Sequence, residues 1–150
     1  MKKIRHIAIS SQNPAATAKF YKEAFGWEEI SRSGLDSDHE GDAPRPSGVI
    51  MSDGSINITI LKFGTDQIGK GVDFEGVHHL GVVVDDWRGE RERLQAMGAA
   101  FVTDENNVPP GAQFEVKFQG PDDIIYDITD VPYPGSTPPP GGSDPKEHKP

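Results

Sequence analysis

Two stretches, Arg5-His6-Ile7-Ala8-Ile9 and His78-His79-Leu80-Gly81-Val82, carry one pattern at an offset of 73 residues. Both are short and rich in branched apolar residues, the composition of a strand. The segments downstream of the two are also alike. Asn13-Pro14 opens a helix over 15–25, with Asn13 as N-cap, Pro14 in the first helical position and Gly26 as the stop. Asp85-Asp86 cap a second helix over 87–97, which Gly98 closes. The first helix is followed by strands at 27–33, 49–52 and 56–63, the last two joined through Asp53-Gly54, a hairpin signal. The second is followed by strands at 100–103, 113–118 and 124–129, the last two separated by the turn Gly120-Pro121-Asp122-Asp123. The order is strand, helix and three strands, twice, which places the chain in the α+β class. Ile56-Asn57-Ile58-Thr59 matches Tyr126-Asp127-Ile128-Thr129 more loosely, setting Asn57 against Asp127. Neither half has enough apolar residues to bury its own sheet, so the halves pack together as one domain over 1–130.

Composition narrows the function. The 150 residues hold 15 basic and 24 acidic side chains, a net charge of −9, which argues against a nucleic-acid or anionic-membrane surface. There is no cysteine, so disulfides, thiolate metal sites and a cysteine nucleophile are excluded. Met1-Lys2-Lys3-Ile4 is not followed by a sustained apolar run, and no stretch approaches the roughly 20 apolar residues of a membrane helix. The expected location is the cytoplasm. Residues 131–150 contain seven of the 13 prolines and read as an extended or disordered Pro/Gly-rich tail. Residues 34–46 read as an acidic loop, in which Asp36, Asp38, His39, Glu40 and Asp42 form either a solvated surface or a lid.

Strand alternation sorts the side chains into two faces. His6, Ala8 and Ser10 share one face, with Ile7 and Ile9 opposite. Asn57, Thr59 and Leu61 oppose Ile56, Ile58 and Ile60; His79, Gly81 and Val83 oppose Leu80, Val82 and Val84; Ile125, Asp127 and Thr129 oppose Ile124, Tyr126 and Ile128. Each of the four strands thus has an apolar face for the helices and a small, partly polar face, a pattern that predicts a hollow. His78 precedes the matched histidine and is expected to face away, in a structural or surface role. Glu115 and Lys117 share one face of their strand, with Phe114, Val116 and Phe118 on the other, and either set could border the hollow.

The doubled order, together with His6-Ile7-Ala8-Ile9, Phe20-Tyr21-Lys22-Glu23-Ala24-Phe25-Gly26-Trp27, the run from His78 to Asp86 and Gly120-Pro121-Asp122-Asp123, resembles the vicinal oxygen chelate superfamily. That group includes glyoxalases, bleomycin-resistance proteins and extradiol dioxygenases. The resemblance spans residues 4 to about 130. It implies two tandem βαβββ modules, 4–63 and 77–130, forming a curved, cup-shaped mixed sheet with helices on its outer face. It also implies a divalent metal in the cup, held by the first and last strands of each module. Carried onto this chain, the implied ligands are His6, His79 and Asp127. The fourth position falls on Asn57 by alignment, or on Ile58 when counted from the hairpin glycine.

Two imidazoles and one carboxylate suit Fe(II), Mn(II), Ni(II) or Zn(II), and a three-ligand shell leaves positions open for two adjacent substrate oxygens. Asn57, Thr59, Ser10 and Thr129 are the candidate substrate-pocket residues. In a metal-free site Asp127 is instead the candidate general base. The expected protein is a metal-dependent enzyme, dioxygenase-like or lyase/isomerase-like, acting on a small substrate with vicinal oxygens and assembled as a homodimer. The alternative is a metal-free binder of the bleomycin-resistance type.

Overall fold

The structure is a computed structural model that describes residues 2–36, 41–102 and 115–130. His39 with its neighbours Asp38 and Glu40, the start of the expected 113–118 strand including Phe114, and the 131–150 tail lie outside the described residues.

The first module is β1 (Lys3–Ser10), α1 (Pro14–Phe25), β2 (Glu28–Ser33), β3 (Ser47–Ser52) and β4 (Asn57–Lys62). The second is β5 (Gly76–Val83), α2 (Trp87–Ala96), β6 (Ala100–Phe101), β7 (Val116–Gln119) and β8 (Ile125–Thr129). Helix α1 starts where Asn13 accepts a hydrogen bond from the Ala16 N–H and stops where Gly26 turns left-handed at φ 72°. Removing that cap by Asn13→Ala is expected to cost about 1 kcal/mol in a urea titration. In α2 the Asp86 side chain accepts from the Arg88 N–H, as its sequence position predicts.

Among the described residues eight strands form one curved mixed sheet in the order β2-β3-β4-β1-β5-β8-β7-β6. Within each module the last strand lies parallel beside the first, β4 on β1 and β8 on β5. The modules meet along a single antiparallel seam, β1 against β5.

Ladder partners share a face, so the register can be read across the sheet as rows. One row runs Met51, Ile58, Ile7, Leu80, Tyr126, Phe118 and is apolar throughout. It belongs to the face the helices cover. There Ala18 of α1 packs with Val49, Met51, Ile58 and Ile60, while Trp87 and Leu94 of α2 pack against Val84, Val116 and Ile128. The next row runs Ser52, Asn57, His6, Gly81, Asp127, Lys117 and faces the other way. The alternation read from sequence therefore holds across six strands.

Among the described residues three irregularities break the alternation: one leaves Ile30 extra in β2 against β3, and two lie on the β1–β5 seam. Ile4 pairs with Val82 but His6 with Gly81, which leaves Arg5 as an extra residue in β1. Ala8 pairs with His79 but Ile9 with Val77, which leaves His78 as an extra residue in β5. These are β-bulges, and a bulge re-aims the residue it carries. Arg5 and His78 are both buried, and each touches the histidine next to it in the chain. The expectation that His78 faces away is thus corrected. The row that lines the expected hollow is enclosed: His6, Asn57, Thr59, Asp127 and Thr129 are all within 2% of complete burial. The bulges turn two more large side chains onto a face that strict alternation leaves to small ones. Phe63 adds cover by stacking on His78 at 3.9 Å between ring centroids, and Arg45 holds the 41–47 segment to the linker by donating to the Phe63 and Val72 carbonyls.

Candidate metal centre

Each of the three implied ligands sits next to the seam or on it. His6 lies on β1, His79 on β5, and Asp127 on β8 beside Gly81. Gly81 decides where the His6 ring goes. A Cβ at that position would lie 2.1 Å from His6 Cε1, so the ring occupies the space that a side chain on β5 would fill. Crossing that gap brings His6 Nε2 to 3.1 Å from His79 Nε2 and 3.5 Å from Asp127 Oδ2. His79 Nε2 is 2.9 Å from the same Asp127 oxygen. Among the described residues this is the one group of three such side chains whose donor atoms converge, and all three are buried.

The donor set fits a divalent ion. Donors about 2.1 Å from a shared ion, at angles of about 90–110°, stand about 3.0–3.4 Å apart, close to the three separations seen. Neither carboxylate oxygen of Asp127, although fully buried, has a partner in hydrogen-bond geometry among the described residues. A buried carboxylate left this way is costly unless a ligand completes it.

The electrostatics are those of a dry site. Burial, with Arg5 as the next cause, lowers the His6 pKa from 6.5 to about 3, so the ring is neutral at pH 7. Burial and then His79 lower His78 to about 4. Burial raises Asp127 above the usual carboxylate value, with Glu115 adding to the rise and the His79 contact opposing it. Around the carboxylate runs a closed circuit of charge. Arg5 pairs with Glu115 and stands 3.9 Å from Asp127 Oδ1, while Lys117 Nζ is 3.7 Å from Glu115 and 3.9 Å from Asp127 Oδ2. Of the two faces left open for β7, it is the charged one that borders the centre, and Phe118 and Val116 go to the helix side.

The remaining pocket candidates separate. Asn57 is the direct ladder partner of His6, and its amide donates to the Met51 carbonyl at 3.3 Å. Thr59 pairs with Ala8, and its hydroxyl has no hydrogen-bond partner among the described residues. Ser10 lies opposite Leu61 and Gly76, and Thr129 opposite Val83, each in a row flanking the convergence rather than in it. Register also revises the repeat. Asp127 pairs with Gly81, the counterpart of Ala8, so its equivalent in module one is Thr59 and not Asn57. Sequence reading missed Arg5 as a site residue, although it stands at the repeat position of His78.

A sequence model of the Glyoxalase/Bleomycin resistance protein/Dioxygenase superfamily matches residues 3–126. The chain belongs to that superfamily. Solved structures agree on the glyoxalase-superfamily fold. A hypothetical protein, BH1468 from Bacillus halodurans C-125, is 19% identical with a TM-score of 0.61, covering 85% of this chain and 92% of its own. A Streptomyces coelicolor methylmalonyl-CoA epimerase in complex with 2-nitronate-propionyl-CoA is 18% identical with a TM-score of 0.61, covering 84% and 92%. Methylmalonyl-CoA epimerase from Mycobacterium tuberculosis is 15% identical with a TM-score of 0.60, covering 87% and 88%. At these identities the likeness is one of fold within the superfamily. No curated protein matches the sequence. No helix among the described residues is long and apolar enough to cross a membrane.

Proposed function

We propose that this member of the glyoxalase superfamily is a metal-dependent enzyme acting on a small substrate that carries adjacent oxygens. The observation behind this reading is the convergence of His6 Nε2, His79 Nε2 and Asp127 Oδ2 within 3.5 Å of one another, all three side chains being buried. Those three atoms would hold Fe(II), Mn(II), Ni(II) or Zn(II). Bound there, the metal supplies Lewis acidity to the substrate oxygens and leaves positions open for them.

The chain's own residues favour proton transfer, lyase- or isomerase-like, over oxygen chemistry. Glu115 is a second carboxylate beside the centre, partly exposed and outside the ligand set. It is the candidate acceptor for a proton taken from the substrate, with Lys117 Nζ placed to stabilise the negative charge that develops. The epimerases of similar fold are consistent with that class of step, and they do not fix the substrate.

The drug-sequestering alternative has less support. A cationic ligand would need a surplus of negative charge at the centre, and there Arg5 and Lys117 balance Glu115 and Asp127.

Metal content tests the proposal. Protein purified anaerobically and without a histidine tag is expected to carry close to one transition metal per chain by mass spectrometry. His6→Ala, His79→Ala and Asp127→Asn should each lose it while keeping the fold by circular dichroism. Wild-type protein that neither carries metal nor takes it up would reject the enzyme reading.

A further inference from the structure

We propose that Arg5 is a latch on the centre. By donating to His6 Nδ1 it holds that ring in the tautomer whose Nε2 bears the hydrogen, so a divalent metal gains His6 only when Arg5 releases it. The inference rests on the reading of His6, His79 and Asp127 as a metal centre.

Arg5 Nε lies 3.2 Å from His6 Nδ1. An arginine nitrogen only donates, so Nδ1 accepts, and a neutral imidazole that accepts there carries its hydrogen on Nε2. That hydrogen points toward His79 Nε2, 3.1 Å away, in the space a ligand bond would need. The matching position of the second module is built the other way. His78 stands where Arg5 stands in the repeat, with its Nδ1 2.7 Å from His79 Nδ1. An imidazole accepts as well as donates, so His79 can give its Nδ1 hydrogen to His78 and keep the Nε2 lone pair. A metal-bound histidine normally donates its other nitrogen in this way. The two bulges thus differ in what they allow: His78 leaves His79 access to its coordinating tautomer, whereas Arg5 denies that tautomer to His6.

Arg5 also has a resting place. Its Nη2 already donates to Glu115, and Asp127 Oδ1 is 3.9 Å from the same nitrogen. Release needs the Nε–H to turn from the ring while Nη2 keeps Glu115. The ring then releases its Nε2 proton to water and takes one from water at Nδ1, so His6 stays neutral and the Nε2–H bond gives way to a lone pair for the metal.

Arg5→Gln replaces an obligate donor with a side chain that can accept from a His6 Nδ1–H. Competition against a chromogenic chelator is expected to show Zn(II) bound at least tenfold more tightly, and associating faster, than by wild type. Equal or weaker binding overturns the latch and leaves the metal centre standing. Absence of Zn(II) binding by both proteins overturns both. Nitrogen-15 NMR of the wild type gives a second reading that does not depend on the variant folding. His6 is expected as the Nε2–H tautomer in chelator-treated protein and as Nδ1–H after Zn(II) is added. An Nδ1–H ring before addition overturns the latch.

Discussion

Gly81→Ala is expected to dismantle the centre without touching any of its donor atoms. The added methyl would meet His6 at 2.1, 2.2 and 2.8 Å from three ring atoms, well inside contact distance. Neither partner can step aside cheaply. Gly81 is fixed by ladder partners on both sides, His6 on β1 and Asp127 on β8, and the His6 ring is itself buried. The ring must leave the gap, which parts His6 Nε2 from His79 and Asp127. Overpacking of this kind costs about 1–3 kcal/mol, and displacing one ligand of three lowers metal affinity by ~100-fold or more. Thermal denaturation and a Zn(II) titration read the two effects separately. The double variant His6→Ala/Gly81→Ala sharpens the test, because removing the ring removes the clash. The stability losses should therefore be strongly non-additive, the double variant folding better than the sum of the singles. Additive losses, or metal binding by Gly81→Ala equal to wild type, would show that the ring does not depend on this gap.

The second large effect is on acid stability, measured in chelator-treated protein. His6 is held neutral, its pKa falling from 6.5 to about 3 on folding, and His78 falls to about 4. Below pH 6.5 the unfolded chain binds protons at these two positions that the folded chain refuses. Their contribution is fully present above pH 6.5 and is lost as the pH falls through the window toward 4 and 3. Asp127 acts in the opposite sense, since its raised pKa lets the folded chain bind a proton more readily above 3.8. Each histidine takes up a proton on unfolding and the Asp127 shift offsets part of that uptake, so on balance unfolding binds protons below pH 6.5. Stability therefore falls as the pH drops below 6.5, by about 1.4 kcal/mol per pH unit for each proton of net uptake. Urea midpoints at pH 7, 6 and 5 should decline on that slope, and His6→Gln should flatten it by about one proton. Midpoints that hold steady or rise on acidification would contradict the neutral, buried His6.

Much of this centre is legible in the amino-acid sequence. The repeat places His6 and His79 on equivalent strands, and strand alternation puts Asp127 on their side of the sheet, because both patterns are local and periodic. The bulges are not legible. A bulge is a relation between two strands, and nothing in Arg5 or His78 marks it until the partner's register is known. Strict alternation therefore sends His78 outward and leaves Arg5 unnoticed. The match of Asn57 with Asp127 fails for a related reason. A loose four-residue likeness cannot fix a ladder, whereas pairing with Ala8 and Gly81 does, and it selects Thr59. The choice between the two faces of β7 turns on the charge circuit, whose members come from three strands distant in sequence.

The β1–β5 seam has a consequence for the order of events when the protein folds or opens. Each module's hairpins and parallel pair are complete without the other module, but His6 stands on one side of the seam and His79 and Asp127 on the other. No fragment that ends before the seam closes can assemble the three donors. Any opening that parts β1 from β5 disperses them while the rest of each half stays paired. Metal uptake is then a timer for module docking. Followed in a refolding experiment, it marks the moment at which two half-sheets become one.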